Sequence, residues 1–366
     1  MFYFTLAYFL LQSHFWGTPE PKSPIMRIVK SYIPCALPME NKQALAYELE
    51  LTNKSKNNIN IRELRIFDNN NNLVKKYDNY NLQISTKTLD ADAKILIYIW
   101  LEFPKESRVP TKLTHRINIV NNSEKIIFQG LSLEIPNIKP TILGTPFKDK
   151  ATWFAANAPS ATSKHRTSMP SQRFAVDWMS IDDNGRAFKN NGEKLDDWNG
   201  YGKDVVAVAD GTIVLMQDNI PENIPGSHRA VPINATTIGG NFLSLELASG
   251  EFVVYAHLIP GSLVVQPGDR VQKGQILAKL GNSGNSDAPH LHLHVSNKPE
   301  PLQGQGLAYV HEYFETIGSN DNLYTIIAGG DVFNSMIFSK NQSLRSLEMP
   351  AENSIVKFLD SQSSSK

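Results

Sequence analysis

The stretch Ala288–Val295, APHLHLHV, sets three histidines at alternate positions in a chain that has nine. In extended backbone, successive side chains point to opposite faces of the strand. His290, His292 and His294 would then share one face, with Leu291, Leu293 and Val295 on the other. A helix would scatter the three rings, and Pro289 disfavours helical backbone at the residue before it. The spacing therefore predicts a strand with an apolar back and an imidazole front. Imidazole is the usual nitrogen ligand for zinc and a proton carrier near neutral pH. Metal binding with proton transfer is the chemistry this pattern offers; an exposed face that merely carries histidines is the bland alternative.

Such a strand needs a sheet to hold it. RFAVDWMSI (173–181), DVVAVADGTIVLMQD (204–218) and NFLSLELASGEFVVYAHL (241–258) read as strands, and VQPGDRVQKGQILAKLGNSGNS (265–286) as turns between two more. GNSGNS fits a tight turn to which no chemistry is assigned. No amphipathic helix of any length is evident, so this region is expected to be almost all β. The polar stretches 182–203 and 219–240 read as long loops, either walls of a cleft or ornament. Trp198 and Tyr201 in the first loop either line a groove or pack the loop down.

Ahead of this region, ALAYELELTN, IRELRIFDNNNNLVKKY (a hairpin), AKILIYIWLEF and HRINIVN give short alternating strands over residues 28–136. They predict an antiparallel, immunoglobulin-like β-sandwich, an accessory module whose one histidine, His115, stands alone. Three prolines in PNIKPTILGTPFK (136–148) make 137–150 read as a linker to a second domain, 151–312. Weak strands such as NLYTIIAGG and NSIVKFLD then precede a polar end over 313–366.

Composition narrows the function. The 36 basic and 36 acidic side chains cancel, so no nucleic-acid partner is expected. The single cysteine, Cys35, excludes a disulfide framework and a multi-cysteine zinc site; a buried thiol is expected. Phe2–Leu11 has the length of a secretory-signal core, within residues 1–23, though no Lys or Arg precedes it. Export to a periplasm, cell envelope or medium is the expectation, without stable membrane insertion after signal removal. The oligomeric state is left open.

GKDVVAVADGTIV, GNFLSLEL, VVYAHL and PGDRVQKGQILAKLGNSGNSDAPHLHLHV occur in the order seen in lysostaphin-type (LytM-like) zinc endopeptidases of bacterial cell walls, and the region from Trp153 to Val310 resembles that family. The resemblance implies an all-β barrel-sandwich peptidase domain with one zinc per chain, acting on peptidoglycan peptides. It maps a metal ligand onto His292, a second onto Asp177, and assisting histidines onto His290 and His257. His294 falls where many relatives have an acid, and is either a supporting contact or exposed.

One position departs from the family. Where relatives place the first zinc histidine, four residues before Asp177, this chain has Arg173. A guanidinium stays protonated and offers no lone pair to a metal. His165, in a similar HR…QRFAVDW arrangement, is the substitute, giving the ligand set His165, Asp177 and His292; a surface histidine is the competing reading. Arg173 is expected to pair with Asp177, with clamping of a substrate carboxylate as the alternative. Two competing functions follow. One is a catalytically inactive domain of this fold that binds wall or regulates another hydrolase. The other, suggested by PGDRVQKGQILAKL, is a biotin- or lipoate-type carrier, which lacks the Met-Lys or Asp-Lys dipeptide it would need in this region.

Overall fold

The structure is a computed structural model, and it describes residues 25–320 and 337–359, apart from 31, 79–81, 83, 85 and 122. The stretch read as a secretory signal and the strand read from NLYTIIAGG lie outside the described residues. The described chain is almost entirely strand; its α-helix is a single turn, Lys164–Ser168.

Two antiparallel sheets share a core near the N-terminus. In the first, Lys42–Asn53 pairs with Lys94–Pro104 on one edge and with Met26–Lys30 and Leu37–Met39 on the other. The second runs Leu73–Tyr77, Ile59–Phe67, Lys112–Asn121, Glu124–Glu134. The expected hairpin forms between Ile59–Phe67 and Leu73–Tyr77, closed by main-chain N–H groups of Asn70 and Asn72 donating to Asp68. Leu45, Tyr47, Leu49 and Leu51 meet Ile61, Leu64, Ile66 and Ile117 between the sheets. The alternate residues Ala44, Ala46 and Glu48 point the other way and are just as buried, because the C-terminal half covers that face. Lys42–Asn53 is thus sandwiched on both sides, and the two halves of the molecule pack tightly together.

The C-terminal half is built on an eleven-stranded sheet. At its centre Val176–Ile181, Leu291–Ser296 and Phe252–Leu258 lie side by side, all antiparallel. The segment read as a linker is part of this sheet's structure: Thr141–Leu143 pairs in parallel with Tyr309–Ser319, and Phe147 stacks on the Trp153 ring. Tyr309–Ser319 also runs through the expected boundary at 312/313 and pairs with Ser354–Phe358. Apolar side chains on the flanking segments make them core rather than tether. Cys35 is a buried free thiol whose pKa burial pushes up to about 11.

Two buried histidines away from the sheet centre make stability pH-dependent. His115 Nδ1–H donates to the Leu131 carbonyl and its Nε2 accepts from Tyr47 Oη; His311 sits among Trp178, Tyr309 and Phe358. Burial lowers each from 6.5 to about 4. Below pH 6.5 the unfolded chain takes up these protons and the folded one does not, so stability is whole above pH 6.5 and drains away as pH falls to 4. The loss expected is about 3 kcal/mol per histidine. Urea midpoints between pH 7 and 4.5 test this, and His311→Phe, which suits its aromatic surroundings, should make the fall shallower.

Candidate metal centre

Strand register assembles the site. Asp177 lies directly opposite His292, and His292 opposite Ala256 on its other neighbour. Alternation sends Val176, Trp178, Leu291, Leu293 and Val295 into the main core, leaving Asp177, His292 and His294 on the opposite face. The reading of APHLHLHV as a strand with an apolar back holds from Leu291 onward, with His290 just ahead of the strand, and the exposed-face alternative fails: His292 is 4% and His294 1% exposed. His257 follows Ala256 at φ 65, a left-handed conformation uncommon for a residue with a Cβ, with its ring centroid 4.8 Å from that of His290.

His165 reaches the site from the one-turn helix Lys164–Ser168. Its Nε2 lies 3.3 Å from Asp177 Oδ2, while His292 Nδ1 lies 2.9 Å from Asp177 Oδ1. One donor atom each from His165, Asp177 and His292 falls within 4.8 Å of the other two. Ligands of a tetrahedral zinc with bonds of about 2.1 Å stand roughly 3.4 Å apart. Two neutral imidazoles and a carboxylate at this spacing suit a divalent ion, with one coordination position left over.

The supports orient each donor. His165 Nδ1–H donates to the Asn157 carbonyl at 3.1 Å, His257 Nδ1–H to Ser283 at 2.8 Å, and His290 Nδ1–H to Ala288 at 2.8 Å. Each Nδ1 is thereby committed to a carbonyl, so Nε2 is the nitrogen left to face the site, as is common around metals. Asn157 Nδ2 donates to Asp177 Oδ2 at 2.8 Å and steadies the carboxylate. Burial would raise Asp177, but His165 and His290, by charge and hydrogen bond, hold it well below the usual carboxylate range. Burial opposes protonation of His165 and His290, yet the Asp177 charge and hydrogen bond raise both. His257 is pushed well down by burial and by its neighbours His290 and His292, which outweigh the pull of the Asp177 charge. A buried anion ringed by imidazoles attracts protons, and a cation competing for the same lone pairs would release them.

Arg173 does not pair with Asp177 and does not face the site. It precedes the strand, at the end of a 3₁₀ turn, so strand alternation does not apply to it. Its guanidinium is completely buried, forked onto Glu48 of the N-terminal sheet (Nε to Oε1, 2.8 Å). It also donates to the Gly306 carbonyl and to Gln305 Oε1. This burial also removes the substrate-clamp alternative. Gly306 is required here because a Cβ would stand 2.6 Å from the Ser171 carbonyl oxygen. Arg166, next to His165, is equally buried, donating to Ser160 and Ala161 carbonyls with Tyr98 and Trp100 of the N-terminal sheet beside it.

Sequence reasoning passed over several supports. Glu48 lies in a strand read as an accessory element, Asn157 in a turn with no motif, and the GNSGNS turn supplies Ser283 and Ser286, the latter 3.1 Å from His290 Nδ1. Only the positive φ of Asn157, typical of Asn, had any sequence-level signal. The two long loops do wall the site: Phe188 and Trp198 from one, Arg229 and Ile238 from the other, line a cleft of about 700 Å³ with the histidines on its floor. Tyr201 instead donates to Glu222 at 2.7 Å.

Residues 195–304 match the model of peptidase family M23, a span that holds His257, His290, His292 and His294 and stops short of His165 and Asp177. No curated protein matches the chain. Among solved structures, the catalytic domain of the antimicrobial peptidase lysostaphin from Staphylococcus simulans is 23% identical, covering 42% of this chain and 84% of that one (TM-score 0.25). A prophage-encoded M23 protein from Enterococcus faecalis is 19% identical over 37% of this chain and 73% of its own (TM-score 0.24). A zinc containing peptidase from Vibrio cholerae is 13% identical over 74% and 84% (TM-score 0.25). Over residues 195–304 the chain is thus similar to peptidase family M23.

Proposed function

We propose that this chain is an exported zinc endopeptidase that hydrolyses peptide bonds of bacterial peptidoglycan. What carries the reading is the convergence of three suitable donors, His165, Asp177 and His292, within 4.8 Å of one another in a cleft whose floor also holds His257 and His290. His165, Asp177 and His292 would hold the ion. Bound zinc supplies Lewis acidity that makes water a usable nucleophile at neutral pH.

The chain's own groups do the rest. His290 and His257, pinned by main-chain carbonyls, keep Nε2 available to exchange protons with water and the departing amine. Their placement beside the ligands also lets a protonated ring stabilise charge on the scissile oxygen. Phe188 and Trp198 offer an apolar wall, and the open side admits an extended peptide. Among the described residues no helix is long and apolar enough to cross a membrane; export rests on the N-terminal stretch alone.

The inactive-domain reading arose from Arg173; the position of His165 beside Asp177 favours the hydrolase over it. His165→Ala is the test. Zinc affinity of the purified chain should fall by roughly 10³-fold, taking about 4 kcal/mol per ligand, and release of fragments from peptidoglycan should fall with it. Unchanged affinity and unchanged hydrolysis would remove His165 from the ligand set.

A further inference from the structure

We propose that His294 is a positioning residue, whose Nδ1 selects the ring orientation and tautomer in which His292 can hold a metal. The inference rests on the reading of His292 as a ligand. His292 turns Nδ1 to Asp177 Oδ1 at 2.9 Å and Nε2 to His294 Nδ1 at 3.0 Å. His165, His257 and His290 each lean on a main-chain carbonyl outside the central ladders. His292 sits mid-sheet with strands on both sides, where neighbouring carbonyls are engaged in pairing. Its support has to come from a side chain two residues on, on the same face.

The proton count decides what that support does. A metal takes the lone pair of His292 Nδ1, so the neutral ring must carry its proton on Nε2. That N–H needs an acceptor, and His294 Nδ1 accepts only when His294 keeps its own proton on Nε2. Among the described residues His294 Nε2 is buried without a hydrogen-bond partner. Without metal the opposite order satisfies more groups: His294 Nδ1–H donates to His292 Nε2, and His292 Nδ1–H donates to Asp177. Each ring carries one proton in both arrangements. Filling the site therefore moves both from Nδ1 to Nε2 with no change in the pair's charge, and His294 is the element that registers it.

Nitrogen-15 spectra of the histidine rings with and without added zinc, together with zinc titrations of wild type, His294→Leu and His294→Gln, test this. His292 and His294 should each switch from the Nδ1–H to the Nε2–H form as zinc is added. His294→Leu should bind zinc 10–100-fold more weakly, while His294→Gln, whose amide oxygen can accept from His292, should stay within a few-fold of wild type. A loaded wild type in which His294 remains Nδ1–H, or a folded His294→Leu with wild-type affinity, overturns the inference and leaves the metal site standing. A wild type that takes up no zinc overturns both. Should His294→Leu not fold, the wild-type spectra decide alone.

Discussion

His292→Ala should reduce bound zinc from one per chain to almost none and abolish peptidoglycan hydrolysis. His292 lies in the central strand, with its Nδ1 2.9 Å from Asp177 Oδ1. Sharing a site energy of about 12 kcal/mol among three ligands puts the loss near 4 kcal/mol, on the order of 10³-fold in affinity. Hydrolysis should drop at least as far, since the remaining His165 and Asp177 cannot orient the water. His228, exposed in the 219–240 loop, is the control: His228→Ala should change neither reading. Metal analysis by mass spectrometry and fragment release from purified walls measure the two effects. One zinc retained in His292→Ala would end the metal-centre account.

Arg173→Ala should cost about 3–5 kcal/mol of stability, because it strands a carboxylate with no exposure at all. Arg173 bonds Glu48, Gly306 and Gln305 at once, so the loss also frees the segment that carries His165 and leads into Asp177. A melting point lower by on the order of 10 °C is expected. The double variant Arg173→Met, Glu48→Leu removes both charges and should recover most of the stability, since a buried pair is expensive to break but cheap to replace by apolar packing. Single and double variants that melt alike would mean the pair is not coupled.

These two results bear on different layers of the molecule. The first concerns groups whose identity shows in their spacing. Three histidines at a period of two can only share a face if the segment is extended, and Leu291, Leu293 and Val295 make any other register bury the rings against the core. The second concerns Arg173 and Glu48, which lie 125 residues apart. Nothing local to either announces the other. Reading Arg173 by strand alternation failed because the strand begins only at Val176, after a 3₁₀ turn that redirects the chain.

The expected substitute for the missing ligand was His165, and its ring does arrive beside Asp177. It does so because Arg166 and Arg173 tie both ends of its segment to the N-terminal sheet, through Tyr98, Trp100 and Glu48. The module read as an accessory is therefore part of what holds the site. Its strand Lys42–Asn53 alternates cleanly, yet alternation could not reveal that the polar face, Glu48 included, would be covered.

By itself the sequence determined the all-β class, the histidine strand with its two faces, and the residue types available for a metal. These follow from backbone geometry, which acts between near neighbours. Only the tertiary structure decided that Asp177 stands opposite His292, that His165 arrives beside Asp177, and that Arg173 belongs to a buried ion pair. Those outcomes depend on which distant charges and carbonyls meet when water is excluded, and desolvation is a property of the packed whole.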